Sequence, residues 1–199
     1  MNNYSICLRE FEERDIDFIL TCKNDKALNE MIVGTSLRYT YEDAKRWVQG
    51  CMGEHDNFKF WAVCTNDKEK KIVGWVSLSN IDKQSRSVCH HGIVIGDKFY
   101  RDGTAMFEAM LLSMEYAFNI LHTHRLYCSC LSEHKTTPHM LNALGFVYEG
   151  SRRDAIYKNG KYYNILDYSL LEDEFQTMVE EGKYELNLLI INFVKSVKK

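Results

Sequence analysis

The chain has 199 residues, 45% of them apolar, with a formal net charge of -3 and a single proline. That length suits one domain able to bury about two-thirds of its unfolded surface. The slight acidic excess argues against a general nucleic-acid binder, which carries a basic surplus, and no run of about 18 apolar residues is present to cross a bilayer.

Ser5 to Arg9 alternates apolar Ile6 and Leu8 with polar neighbours, the pattern of a half-buried strand. Glu13 to Asp17 opens a helix whose apolar side is Ile16, Phe18, Ile19 and Leu20. The acids from Glu10 to Asp17 can attract a cation, but acids also favour a first helical turn through the macrodipole, and that structural reading is adopted. Residues 24–38 have no clear period. Thr40-Tyr-Glu-Asp43 has the form of a capping box ahead of a second helix carrying Ala44, Trp47, Val48 and Cys51.

Phe58 to Cys64 and Lys71 to Leu78 read as a hairpin around the charged turn Asn66 to Lys70, and Val88 to Ile95 as a further strand. A glycine loop then leads into a helix over 104–121, with Met106, Met110, Leu111, Met114 and Phe118 at three- and four-residue steps. Arg125 to Leu131 is a strand, Pro138 opens a helix that stops at Gly145, and Phe146 to Tyr148 and Tyr162 to Leu171 are strands around the turn Lys158-Asn-Gly160. The order is strand, two helices, three strands, helix, strand, helix, two strands, which is an α+β arrangement. Residues 1–174 form the domain. Residues 175–199 extend it as an amphipathic helix, with Leu186, Leu189, Ile190, Phe193, Val194 and Val197 on one face and Lys195, Lys198 and Lys199 at its end.

The passage from Gly92 to Met110 carries chemistry. A strand delivers the chain into a loop at a helix N-terminus, where unpaired amides and the positive end of the dipole can hold a phosphate. Gly103 lets the backbone approach, Arg101 adds a cationic donor, and Asp102 opposes an anion. The seven cysteines are an odd number without paired spacing, as expected of reduced thiols in a cytoplasmic protein. Cys128 and Cys130 share one face of a strand, and His122 and His124 flank a junction; both pairs are read as packing or surface residues, and no metal is expected.

In this order and spacing the chain resembles the GNAT superfamily of acetyl-CoA-dependent N-acetyltransferases, nearest the ribosomal-protein alanine and spermidine N-acetyltransferases. The resemblance covers residues 5–174. It is carried by Ile6-Cys-Leu-Arg9 with Asp15, Ile72-Val-Gly74, Gly92-Ile-Val-Ile95 with the loop to Ala105, Tyr116-Ala-Phe118, Leu144-Gly-Phe-Val-Tyr-Glu-Gly150, Asn159-Gly-Lys161 and Tyr168-Ser-Leu-Leu171. It implies a mostly antiparallel mixed sheet splayed between its fourth and fifth strands, with acetyl-CoA as co-substrate in the opening. Backbone groups of Ile93, Val94 and Ile95 would bind the pantetheine arm, and amides of Arg101, Asp102, Gly103, Thr104 and Ala105 the pyrophosphate. The family loop reads Gln/Arg-x-x-Gly-x-Gly/Ala; counting from Ile95 puts Gly103 and Ala105 on its small positions, and counting from Tyr116 puts Thr104 and Met106 there. Gly103 and Ala105 are preferred because close backbone approach needs small side chains.

For catalysis the resemblance puts His134 at the family's cofactor-side Asn, Thr137 at its Ser/Ala position and Leu141 at the Tyr that often protonates the leaving thiolate. Thr137 is thus the available hydroxyl. The amide of Val94 would polarise the thioester carbonyl, and His90 stands where relatives often carry a Glu acting as base. The implied reaction is acetyl transfer to a primary amine (a protein N-terminus, a polyamine or an amino-sugar) in a ternary complex. Specificity would lie in residues 24–39 and the 150–163 hairpin. The alternatives are a non-catalytic acyl-CoA-binding module with a degenerate site and a scaffold that keeps only the fold. No nucleic-acid or membrane partner is expected, and the tail offers a homodimer contact.

Overall fold

A computed structural model describes residues 4–31 and 38–197. Residues 32–37 of the expected specificity segment, and Lys198 and Lys199 of the tail, lie outside the described residues.

Four antiparallel strands open the sheet: β1 (Ile6–Arg9), β2 (Phe58–Thr65), β3 (Ile72–Asp82) and β4 (Ser87–Ile95). The other three are β5 (Arg125–Leu131), β6 (Val147–Lys158) and β7 (Lys161–Leu171), giving the order β1-β2-β3-β4-β5-β7-β6. β4 and β5 are parallel and pair only at Ser87 with Arg125, Val88 with Leu126 and Cys89 with Tyr127. Beyond Cys89 the two strands separate, so the sheet is split between its fourth and fifth strands and opens toward Ile95.

Helices cover both faces of the first half. On one face α1 (Ile16–Asn24) packs on α3 (Tyr41–Cys51) over a core of Phe11, Ile19, Ala44, Val48 and Trp75, with α2 (Lys26–Met31) between them in the chain. The predicted capping box forms: the Thr40 hydroxyl accepts from the Asp43 amide at 3.2 Å and the Asp43 carboxylate from the Thr40 amide at 2.9 Å. Three acids of the run are engaged in ion pairs: Asp15 bonds Nη1 and Nη2 of Arg9 at 2.7 Å, Glu10 meets Lys59 at 2.8 Å and Glu12 meets Arg14 at 2.8 Å.

On the opposite face lie α4 (Thr104–Glu115), α5 (Thr137–Ala143), α6 (Glu172–Glu180) and α7 (Leu186–Val197). The α-helix expected over 104–121 ends at Glu115, and residues Tyr116–Ile120 wind as a π-helix, with the Leu121 amide bonded to the Tyr116 carbonyl. α4 is buried around most of its girth because the tail covers its outer side, where Phe107 meets Phe193 edge-on at 5.6 Å. Its one buried acid, Glu108, accepts from the Ser5 amide and hydroxyl and from the Ile6 amide, fixing the helix against the start of β1. Phe175 and Leu189 of the tail enter the same core.

Two elements exceed their expectation. Residues 26–31 are helical although they carry no period, and β6 runs for twelve residues where only Phe146 to Tyr148 read as strand. β6 is the outer edge strand, exposed on almost every residue and bulged twice, so it has no buried face to impose alternation.

Candidate active site

The split is built from β4 outward. Gly92 pairs with Ser77 and His90 with Leu78, which leaves His91 as an extra residue: a bulge where the strand leaves β5. Farther along, the Gly96 amide bonds to the Val73 carbonyl at 2.8 Å. Alternation back from that pair turns the backbone groups of Val94 toward β3 and those of Ile93 and Ile95 toward the split. The Val94 carbonyl lies 2.2 Å from where a Cβ on Gly74 would stand, which fixes the same direction and requires glycine at 74. The amide expected to face a thioester oxygen is therefore not that of Val94, which is engaged with β3. Those of Ile93 and Ile95 are directed into the opening.

After β4 the chain crosses a loop to α4. Arg101 folds back along it: Nε donates to the Ile95 carbonyl at 2.9 Å and Nη2 to the Gly96 carbonyl at 2.7 Å. Its cation thus sits at the end of β4, tying loop to strand. Gly103 caps α4 with φ 98°, in the left-handed region that glycine adopts without strain, and a Cβ there would meet nothing within 4 Å. Asp102 accepts from the Thr104 amide at 2.9 Å, and Phe107 is the first α4 residue bonded back to Gly103. By position the amides of Ala105 and Met106 have no partner within the helix. Ala105 is buried against the sheet and Met106 packs at the core's margin.

His90 is corrected. It is 4% exposed and faces α4, with Nε2 3.0 Å from the Ser113 hydroxyl. That hydroxyl lies 2.9 Å from the Ala109 and Met110 carbonyls, so its single proton goes to the helix and the imidazole donates to the serine oxygen. Burial pushes the His90 pKa down to about 4. A neutral, dehydrated ring whose Nε2 proton is committed to a core hydroxyl is a strut between β4 and α4, not a base facing substrate. His91 is exposed on the other side of the bulge.

Across the split, β5 ends at Leu131 and the chain turns into α5. His134 Nδ1 is 2.8 Å from Thr137 Oγ1, so two expected site residues meet at the open end. The N-cap of α5 is Thr136, whose side chain makes no cap bond, and Pro138 follows in the first turn. Thr137 is thus free of a capping role. Leu141 is buried in the main core. Cys128 and Cys130 are buried on the same face of β5, and burial pushes both thiols up, that of Cys130 to about 11. His122 lies in a left-handed turn, and His124 is 3.7 Å from Glu172, at the closed end of the split. Among the described residues no three His, Cys, Asp or Glu side chains cluster as a metal site.

Two features were missed in the residue pattern: Ser113, a helix-interior serine that orients His90, and Lys158, a turn-flanking lysine that reaches across to α2. A polar residue at a core position, as Ser113 is by its three- and four-residue spacing from Met110 and Ala117, is the cue that would have found the first.

The chain matches the Acetyltransferase (GNAT) domain model over residues 5–147. It is 32% identical over 94 residues to the [ribosomal protein uS5]-alanine N-acetyltransferase of Escherichia coli K12, covering 47% of this chain and 48% of that protein. This alignment therefore spans about half the relative's length. Spermidine N(1)-acetyltransferase of Vibrio cholerae is 26% identical over 174 residues, covering 87% of this chain and 96% of that one. The solved structure of the Vibrio cholerae spermidine N-acetyltransferase with CoA and spermine superposes with a TM-score of 0.76 at 20% identity, over 86% of this chain and 98% of the other, a likeness of fold. With its seven-stranded sheet split between the fourth and fifth strands, the chain belongs to the GNAT acetyltransferase family.

Proposed function

We propose that this chain transfers an acetyl group from acetyl-CoA to a primary amine, by direct attack in a ternary complex. The observation that carries the reading is the split itself: a strand edge whose Ile93 and Ile95 amides turn away from β3 into the opening leads to an open, left-handed glycine at the head of α4. Those features fit the cofactor, since a Cβ at 103 would stand where a phosphate must approach, and the Ala105 and Met106 amides remain to hold it. Acetyl-CoA supplies the activated acetyl group as its thioester. The Ile93 or Ile95 amide polarises the carbonyl. Thr137 donates a hydrogen bond to the departing sulfur, and His134 behind it exchanges the proton with solvent.

The acceptor is a polyamine, a protein N-terminus or an amino-sugar; the activities for which the relatives are named favour the first two. Incubation with radiolabelled acetyl-CoA and a panel of spermidine, alanine-terminated peptides and glucosamine tests this. Labelled product from any amine supports the reading, and bound cofactor with no transfer defeats it. The second reading, a non-catalytic acyl-CoA binder, is favoured by Leu141 in the core at the family's Tyr position. Calorimetric binding of acetyl-CoA without thiol release on adding amines would select it.

Seven free thiols suit a reducing, cytoplasmic setting, and among the described residues no helix is long and apolar enough to cross a membrane. Val194 and Val197, expected on the face of Leu189 and Phe193, are instead exposed and with Leu188 and Ile191 form a second, outward apolar stripe, which makes the tail the homodimer contact in this reading. Removing residues 175–199 would strip Phe175 and Leu189 from the core, so Ile191→Glu is the cleaner test: a lower mass in sedimentation supports the dimer, and an unchanged monomer removes it.

A further inference from the structure

Among the described residues, the two halves of the sheet are joined by strand pairing only at residues 87–89 and 125–127. The turn between β6 and β7 lies at the other end: Ile165 of β7 faces Leu131, the last residue of β5, so Lys158 to Lys161 project beyond the open mouth. α2 belongs to the opposite half. It follows α1, whose Phe18 and Cys22 press on Gly96 at the end of β4, and Leu28 packs into the α1–α3 core. The Asn29 amide donates to the Lys23 and Asp25 carbonyls, and the Asn24 side chain and Tyr39 backbone exchange hydrogen bonds at 3.0 Å, closing the base of the segment.

Lys158 spans this mouth. It is 5% exposed, and Nζ donates to the Asn29 carbonyl at 2.5 Å and the Glu30 carbonyl at 3.3 Å, the negative end of α2. A cation of one half is thus held by main-chain oxygens of the other. Burial lowers its pKa from the ordinary lysine value and nearby Glu30 opposes that shift, as expected of an ammonium taken out of water for a specific contact. One face of the mouth is occupied by the head of α4 and by α5. An acceptor must then enter from the face where α2 and the β6–β7 hairpin meet.

Resting on the acetyltransferase reading above, we propose that Lys158 is a positioning residue for the acceptor amine, a strap that sets the width of the split on its acceptor side. The bond is between a side chain and backbone carbonyls, so it constrains position without selecting the residues at 29 and 30. Loss of the strap lets the hairpin and α2 move apart, which loosens the amine while leaving the Gly103 side of the site unchanged.

The test compares Lys158→Met, Lys158→Arg and Lys158→Gln with the parent, using an amine that the parent acetylates. The expected result for Lys158→Met is an amine KM raised about 10-fold, with acetyl-CoA affinity within about twofold of the parent. Hydrogen exchange at residues 26–31 should be faster, with that in β2 and β3 unchanged. Lys158→Arg, whose fork reaches both carbonyls, restores KM to within about threefold, and Lys158→Gln, with a shorter donor, falls between. Should Lys158→Met fail to fold, the ordering of Arg, Gln and parent carries the same test. An amine KM that is equal in all folded variants, or a uniform fall in activity that tracks loss of stability, overturns the strap. A parent that binds acetyl-CoA but acetylates nothing overturns the enzyme reading instead.

Discussion

The two lips of the split are made of different material. On the β4 lip the groups that face the opening are main-chain: Ile93, Ile95 and the head of α4 beyond Gly103. On the β5 lip they are side chains, Thr137 and His134. Main-chain groups are supplied by any residue that keeps the strand and the turn, so that lip constrains residue type where a Cβ would intrude, at Gly74 and Gly96, and where the backbone turns left-handed, at Gly103. In the proposed reaction the β5 lip works only with particular functional groups. The first lip should therefore fail through shape and the second through chemistry.

The largest effect is expected at Gly103. Glu there adds negative charge and bulk in the open space before α4 and forces a side-chain residue to φ 98°. Left-handed backbone costs a non-glycine residue about 1–2 kcal/mol, which a domain of this size survives. Gly103→Glu should weaken acetyl-CoA by more than about 100-fold in calorimetry while circular dichroism stays native. Unchanged affinity in a folded protein would break the comparison by moving the phosphate away from this lip.

Next comes Thr137. Val keeps the shape and removes the hydroxyl, and general acid assistance is worth roughly 100-fold or more, so kcat should fall by about that factor with acetyl-CoA binding intact. Thr137→Ser should lose only a few-fold. Since Thr136 is the N-cap, the Val change carries little capping cost, and a fall in kcat cannot be attributed to an unwound α5. Turnover at the parent rate in Thr137→Val would mean that the proton leaves through water and that the β5 lip, too, acts by shape.

This division also governs how much was legible in the sequence. Six of the seven strands and the capping box at Thr40 were readable, because alternation and cap chemistry follow from burial and unpaired amides, whereas the split was implied only by the family resemblance. β6 was largely hidden because an exposed edge has nothing to alternate against. Motif position singled out His134 and Thr137 separately; their contact is visible only in the structure. His90 and Val94 did not, because each depends on strand phase: a one-residue bulge at His91 decides which groups turn toward α4, β3 or the opening, and a bulge leaves no mark in residue type.

His90 offers a test of that phase at moderate cost. Its folded pKa of about 4 lies below the usual histidine value of about 6.5, so between those pH values the unfolded chain binds more protons than the folded one. Stability therefore falls as pH drops from about 6.5 to about 4, by an amount of order 3 kcal/mol, and levels off below that. His90→Leu should flatten this part of the stability curve in urea titrations. It should leave the pH profile of kcat unchanged, and Ser113 is not orphaned, since its proton already goes to helix carbonyls. A lost limb in the rate profile would restore His90 as a base.

The smallest effect is expected where the family's tyrosine would stand. If the β5 lip depends on a hydroxyl at a defined place, restoring that tyrosine should help only if position 141 faces the opening. Leu141 is buried with Met140 and Leu144 in the main core, so a phenol there has to displace packed side chains, at about 1–3 kcal/mol. Leu141→Tyr should thus lower the melting midpoint by several degrees and leave kcat within about twofold, because the new hydroxyl does not replace Thr137. The informative variant is the double change with Thr137→Val. If Leu141→Tyr raises kcat in that background, the backbone of α5 can present either residue to the sulfur, and the hydroxyl at 137 is one solution among two. If it does not, the helix is phased so that only position 137 reaches the opening, and the chemistry of the β5 lip rests on the Thr137–His134 pair.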